Sequence, residues 1–331
     1  VAQRSNLTTA QTGYGAVDRF QVLSTGDSRF TLSQNDGPGA QYGLPSALKF
    51  ETTTADSSIA ATDYMYLDTR LEGQDLQRFQ KGSSDAKQFT LQFWIKLAVT
   101  GTYVVQLFDA DNSRHVVANY TVSSANTWEK KIITFPADTS GTFDNDNARS
   151  LDIRWHFMGG SNYRGGTQQT TWGSIVATNM LEGMGNAVSS TGDNFITGMQ
   201  LEVGPQATSF EHNKFGEDLA LCQRYFQVLG GSNGTYDTMS TGACASTTIA
   251  YVPHRLVTSM RATPSFTLLG SASDFMYTRD GGDHTPSAIV YDQAGKNMIA
   301  VKMTGTSLNQ DDATRLFNMN TNSGYLMDAE L

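Results

Sequence analysis

Trp94, Arg154, His156 and Gln200 offer this sequence's clearest chance of chemistry. Each occupies the polar phase of a stretch that alternates apolar and polar residues, so each is expected to point away from a core. An indole face suits the C–H side of a sugar ring, and planar polar side chains suit its hydroxyls. On neighbouring strands the four would make a glycan platform, with Glu202 beside them. The same residue types also suit a subunit interface or a second packing layer, where Trp and Arg are enriched, or a plain solvated sheet face. At the level of sequence all these readings stay open.

Other constellations carry less. Residues 230–234, "GGSNG", match the G-x-S-x-G pattern, but a nucleophile elbow needs a strand before it and a helix after it. Here a helical pattern precedes and "TYDTMSTG" follows, so the stretch reads as a glycine-rich turn. The five histidines, His115, His156, His212, His254 and His284, form no HExxH and no Cys/His zinc spacing. Cleaving a polysaccharide would require two carboxylates at a matched separation, and no pair stands out. The expectation is therefore a protein without enzymatic activity, cofactor or metal. "DADN" at residues 109–112 could offer Asp109 and Asp111 to calcium, as could "DNDN" at 144–147. Both also read as ordinary turns, where Asp and Asn bond their own backbone. Sequons at Asn6, Asn119 and Asn233 mean little for a chain made in bacteria.

The 331 residues suffice for two domains, and 17% are charged, with Gly, Ser, Thr and Asn abundant instead. That suits many short strands joined by polar turns. A net charge of −9 without any basic block argues against nucleic acid. No apolar run is long enough to span a bilayer, and no signal peptide is visible at Val1. Cys222 and Cys244 are too few for a disulfide framework, and Cys222 is expected as a buried small apolar residue.

The elements that must position the four residues follow from period two. In "FTLQFWIKL", Phe89, Leu91, Phe93, Ile95 and Leu97 share one face, and Trp94 lies on the other. "LDIRWHFM" sets Leu151, Ile153, Trp155 and Phe157 inward, and Asp152, Arg154, His156 and Met158 outward. "GTYVVQLFDADNSRHVVANYTV" is a hairpin turning between Asp109 and Ser113. "NFITGMQLEVG" closes the series, with Phe195, Met199, Leu201 and Val203 inward. "GQDLQRFQKG" predicts helical turns closed by Gly82. "FGEDLALCQRYFQ" then predicts a short helix with Leu219, Cys222, Tyr225 and Phe226 on one stripe. Further strand candidates fill the remainder. The organisation expected is mainly β: an N-terminal segment at 1–16, a jelly-roll-like β-sandwich at 17–210, a connecting helix at 211–228 and a smaller β-sandwich at 229–331.

"GTYVVQLFDADNSR", "NTWEKKIITFPADTSGTFDNDNARSLDIRW", "GSNYRGGT" and above all "ITGMQLEVGPQATSFEHNKFGEDLALCQRYFQ" resemble a family of bacteriophage virion proteins from marine and cyanobacterial phages, termed tail-fibre or carbohydrate-binding-module-like. "VAQRSNLTTAQTGYGAVDRFQV", "LVTSMRATPSFTL" and "YLMDAEL" are similar to its two ends. The resemblance implies a carbohydrate-binding type of jelly roll and a non-catalytic virion role, commonly trimeric. The expected function is a tail-fibre adhesin, made in the bacterial cytoplasm and assembled with other virion proteins, with a host cell-surface glycan as its possible partner. The alternative is a capsid decoration protein that binds no glycan, and a polysaccharide depolymerase is more remote.

Overall fold

The computed structural model describes residues 1–230, 238–279, 281–319 and 323–331. They form two compact units, Val1–Asn213 with Leu331, and Lys214–Glu330. Residues 231–234 of the glycine-rich match, with the Asn233 sequon, lie outside the described residues.

The first unit contains β1 (Leu7–Ala10), β2 (Thr12–Tyr14), β3 (Phe20–Ser24), β4 (Arg29–Gly39), β5 (Leu44–Thr54), β6 (Tyr64–Glu72), β7 (Phe89–Lys96), β8 (Gly101–Asp109), β9 (Arg114–Val122), β10 (Glu129–Phe135), β11 (Arg149–Gly159), β12 (Gly173–Ser174) and β13 (Gly192–Val203). Among the described residues these make two antiparallel sheets, ordered β1-β4-β5-β13-β7-β10 and β12-β9-β8-β11-β6-β3-β2. The unit is a jelly-roll-like β-sandwich. Residues 1–16 are part of it: β1 and β2 add an edge strand to each sheet.

Alternation builds the core. Phe89, Leu91, Phe93 and Ile95 of β7 are fully buried, as are Leu151, Trp155 and Phe157 of β11. Across the sandwich Trp155 meets Phe93 edge-on at 5.8 Å, a geometry that aligns ring edge with ring face. The hairpin turns between Asp109 and Arg114 as the spacing predicts, with Ser113 at φ 52°. The "GQDLQRFQKG" stretch forms two 3-10 turns, Gly73–Asp75 and Gln77–Phe79, closed by left-handed Gln80 rather than Gly82.

β13 departs from simple alternation. Its register with β7 shifts between Thr197 and Gln200, and Gly198 stands at φ 59°. A Cβ there would lie 2.8 Å from Leu44 Cδ1, so glycine fits both the dihedral and the space. The irregularity inverts the strand's parity. Ile196 enters the core, whereas Phe195 faces outward, against Trp128 at 5.9 Å and beneath Lys96 Nζ at 4.1 Å. The expected inward Phe195 is thus corrected, and Val203 is exposed. Met199 and Leu201 do pack on the core.

In the second unit, α1 (Phe215–Gln223) opens with Glu217 accepting the Lys214 backbone N–H at 3.3 Å. It has no buried residue, and it ends before Tyr225 and Phe226. Those two are buried, but Phe226 starts a strand, and Cys222 is only half-buried, so the four-residue apolar stripe does not form. Cys222 and Cys244 are free thiols. Among the described residues, a three-stranded sheet orders Phe226–Gly230, Gly324–Asp328, Ser265–Leu269. A seven-stranded one orders Gly282–His284, Phe275–Arg279, Ala313–Asn318, Thr238–Cys244, Ile249–Arg255, Met298–Thr304, Ala288–Ala294. Val252, Phe275, Tyr277, Val301, Leu316 and Tyr325 form the core of this second β body.

Candidate functional site

The face of the seven-stranded sheet that turns away from the first unit's core carries a polar layer with aromatic rings beside it. Register sets the rows. Arg154 on β11 lies between Asp68 on β6 and Gln106 on β8. His156 lies between Tyr66 and Val104, and Asp152 between Arg70 and Phe108. Each of these residues is the outward member of its strand's alternation, opposite Leu67, Trp155 and Leu107.

Gln106 ties the layer together. Its Nε2 donates to His115 Nδ1 at 2.8 Å, and His115 Nε2 in turn meets Gln169 Oε1 at 2.7 Å. Gln106 Oε1 accepts from His156 Nε2 at 3.1 Å and Arg154 Nη1 at 3.3 Å. One amide therefore sets His115 as the neutral Nε2–H tautomer and holds a proton on His156 Nε2. Burial, with Arg154 and His115 adding to it, pushes His156 down to about 3. Burial likewise lowers His115, against the raising effect of its bond to Gln169. Neither ring is set up to exchange protons near neutral pH.

Asp152 is fully buried and takes two guanidiniums. Arg149 Nε donates to Oδ1 at 2.6 Å, and its Nη2 to Oδ2. Arg154 donates to Oδ2 from Nε at 3.1 Å and Nη2 at 2.6 Å. Asp68, also fully buried, sits 3.4 Å from Arg70 Nε. Its burial outweighs that partner and raises the carboxyl to about 6.

The rings line the same face. Tyr64 stacks on Tyr66 at 5.6 Å, Tyr163 meets Tyr64 edge-on at 6.0 Å, and Tyr66 lies 5.0 Å from His156. Arg154 lies over Phe108 at 4.2 Å and over Tyr66 at 5.2 Å. All three tyrosines remain partly accessible. The arrangement presents ring faces beside planar donors on a rigid sheet.

Of the four residues singled out in the sequence, Arg154 and His156 belong to this face, but Trp94 and Gln200 do not. Those two lie on β7 and β13 of the other sheet, so the expected four-residue platform does not assemble. Alternation tells which face of a strand points outward, not which sheet the strand joins, and the outward faces of a sandwich look in opposite directions. Trp94 packs on Tyr42 at 4.7 Å. Gln200 accepts the Glu211 N–H at 2.7 Å, and Glu202 accepts that of Thr208 at 3.1 Å. Gln92 donates to the Thr208 carbonyl at 3.0 Å. Residues 204–211 thus fold back over the outer face of the six-stranded sheet. Trp94→Ala is expected to lose about 1–3 kcal/mol of stability through packing while leaving any ligand affinity of the opposite face unchanged. Thermal melts and binding isotherms of the variant check both halves.

Tyr64, Tyr66 and Gln106 were readable from the sequence, since "DYMYLDTRL" and "GTYVVQLFD" place them on outward phases. Tyr163 lies in a 3-10 turn, Ser161–Tyr163, of the stretch that follows β11, which carries no period to place it.

The calcium reading of Asp109 meets a different occupant. Lys81 Nζ bonds Asp109 and lies 3.1 Å from Asp138 Oδ2, 3.1 Å from the Ser140 carbonyl and 2.6 Å from that of Gly141. Asp111 instead accepts the Asp144 N–H at 3.0 Å, and Asp146 accepts that of Ala148 at 2.8 Å. Asp111 therefore ties the two acidic stretches together, Asp146 serves its own turn, and a side-chain ammonium fills the Asp109 oxygen cage. Among the described residues no three His, Cys, Asp or Glu side chains converge as a metal site.

No family model matches the chain, and no curated protein matches it. Among solved structures it is similar to the enzymatically active domain of tailspike protein 4 from bacteriophage CBA120, at 10% identity and TM-score 0.33, over 56% of this chain and 19% of that one. The match thus spans about a fifth of that tailspike chain. It is also similar to a family 11 carbohydrate-binding module from Clostridium thermocellum in complex with a β-1,3-1,4-mixed-linked tetrasaccharide, at 14% identity and TM-score 0.31, over 62% and 98% of the two chains. A third, TmCBM61 in complex with β-1,4-galactotriose, has 8% identity and TM-score 0.27, over 56% and 88%.

Proposed function

We propose that the chain is a non-catalytic bacteriophage virion protein, a tail-appendage adhesin that binds host-surface glycan on the outer face of its larger sandwich. The observation that carries this reading is the juxtaposition of Tyr64, Tyr66 and Tyr163 with Arg154, Gln106 and His156 on one sheet face. Rings supply apolar planes for sugar C–H faces, and the Arg154 guanidinium, held from below by the buried Gln106 amide and Asp152, supplies fixed hydrogen-bond donors. The sequence resemblance to phage virion proteins supports the setting, including assembly with other virion proteins, favoured as a homotrimer. The lack of catalysis is supported by Asp68 and Asp152, which are fully buried beneath arginines, and by two imidazoles held neutral.

The isolated chain on an array of bacterial surface glycans is expected to bind. Tyr66→Ala should weaken binding at least tenfold, about 1.4 kcal/mol, at an unchanged fold by circular dichroism. A folded wild-type chain that retains no glycan overturns the adhesin reading and leaves capsid decoration in its place. Product release from a bound polysaccharide overturns the non-catalytic one.

A further inference from the structure

The charged groups of the candidate face lie in two layers of opposite sign. Beneath are carboxylates: Asp68, Asp152 and Glu72 are fully buried. Above them are guanidiniums, with the Arg149 side chain 32% exposed, Arg70 18% and Arg154 14%. Arg70 donates to the Leu331 carbonyl, so Arg149 and Arg154 are the guanidiniums this face offers above its buried acids.

Arg149 and Arg154 share one carboxylate and one ring. Both donate to Asp152, and both lie over Phe108, at 5.7 Å and 4.2 Å. Asp152 is thus shared by two guanidiniums, while Asp68, opposite Arg154 in the register, lies 3.4 Å from Arg70. Glu72 stands opposite Arg149 in the register and accepts from Gln74 Nε2 at 2.6 Å. Donors are left over. Arg149 directs Nε and Nη2 at Asp152, and its Nη1 has no protein acceptor among the described residues. Arg154 spends one bond from each Nη on Asp152 and Gln106 and keeps a second N–H on each. A guanidinium already braced by a buried carboxylate and a phenyl ring is pre-organised for a bidentate oxyanion.

We infer that the ligand of this face is an acidic glycan, whose ring carboxylate or sulfate is taken by Arg149 and Arg154 while its sugar rings rest on Tyr64 and Tyr66. The inference rests on the glycan-binding reading above and narrows it. The chain's net charge of −9 makes diffuse attraction of polyanions unfavourable, so affinity for an acidic glycan must arise locally.

The test is affinity electrophoresis and calorimetry of the full chain with matched probes: polygalacturonate against its carboxyl-reduced form, and dextran sulfate against dextran, beside the glycan array. The expected result is binding to the acidic member of at least one pair, at least tenfold tighter than to its neutral partner, and weaker as salt rises. The pair that binds tells carboxylate from sulfate. Arg149→Gln should remove at least tenfold of acidic binding. Lys302→Gln, which removes the same charge from the second unit, should remove none. If Arg149→Gln melts early, Arg149→Lys keeps the charge without the fork, and it is expected to fall between the two. Equal affinity for acidic and neutral partners, or array hits confined to neutral glycans, overturns the acidic assignment while the adhesin reading stands. No binding to any glycan overturns both.

Discussion

Lys81→Ala is expected to destabilise the Val1–Asn213 unit by about 3–5 kcal/mol, a loss comparable to much of a domain's net stability of about 5–15 kcal/mol. Lys81 is fully buried, as is Asp109, and Asp138 is nearly so. The ammonium contacts both carboxylates and donates to the Ser140 and Gly141 carbonyls, while the Phe143 and Trp172 rings lie 5.0 Å and 5.1 Å away. Removing it leaves Asp109 with hydrogen bonds from Asn112 but no counter-charge. Asp138 fares better. Burial would raise its carboxyl, yet Arg114, the Ser140 N–H and Lys81 together hold it below the ordinary carboxylate value. Arg114, paired with it at 2.9 Å, is untouched by the substitution, so most of the loss should trace to Asp109. The double variant Lys81→Met with Asp109→Leu removes charge and counter-charge together. It should recover most of the loss, because the pair's own net contribution is small once desolvation is counted. Calorimetry of the three proteins checks this, with the single variant expected to melt about 10 °C or more below the parent. A single variant within 1 kcal/mol of the parent would show that the cage takes up water or relaxes around the gap.

This cage also marks where the sequence stops being informative. "KG" at Lys81 and Gly82 looks like any solvated turn, and the acids at 109 and 138 are far from it along the chain. Their meeting depends on the 3-10 turns after β6 and on Gly82 at φ 84°, where a Cβ would strike Thr142. The legible parts were local. Strict alternation in β7 and β11 placed Phe93, Trp155 and their inward neighbours in the core correctly, but Met158, expected outward, is buried in the core beside a register shift against β6. Asp and Asn marked the β8–β9 turn. The start of α1 was visible in Glu217 and Asp218, but its end was not, because Tyr225 and Phe226 fit a helical stripe and a strand equally well. What local pattern cannot supply is pairing. Nothing in "FTLQFWIKL" or "LDIRWHFM" says that they belong to opposite sheets, which is why Trp94 and Arg154 looked like partners. Nor does alternation reveal that an outward layer is itself buried, as His156 and Gln106 are. Such burial requires the whole row of neighbours, Tyr66, Asp152, Phe108 and Gln169, to be in place.

Mild acid should destabilise both units, and the histidines set the window. In the second unit His254 is buried against Tyr325 at 4.9 Å, with Nε2 lacking a hydrogen-bond partner among the described residues. Burial lowers it to about 4, only partly countered by a backbone bond to Met239. In the first unit His156 is lowered to about 3 and His115 is lowered as well. A depressed imidazole stays neutral in the fold while the unfolded chain takes up a proton below about 6.5. Its contribution is therefore complete above that pH and declines as pH falls toward the folded value, at about 1.4 kcal/mol per pH unit once the unfolded imidazole is charged. Asp68 works in the opposite direction. Raised to about 6, it binds a proton in the fold before the unfolded chain does, so the first unit regains part of its loss between about 6 and 4. The second unit's decline, set by His254, is the one to follow. Between pH 6.5 and 5, above the range where ordinary carboxylates titrate, calorimetry should show its melting temperature falling steadily, with an accumulated loss of a few kcal/mol by pH 4. His254→Gln should flatten that slope and leave the first unit's profile as it was. A melting temperature that holds level or rises from pH 6.5 to 5 in the parent chain would mean that His254 finds a proton-stabilising partner in solution, and the buried neutral imidazole would have to be abandoned.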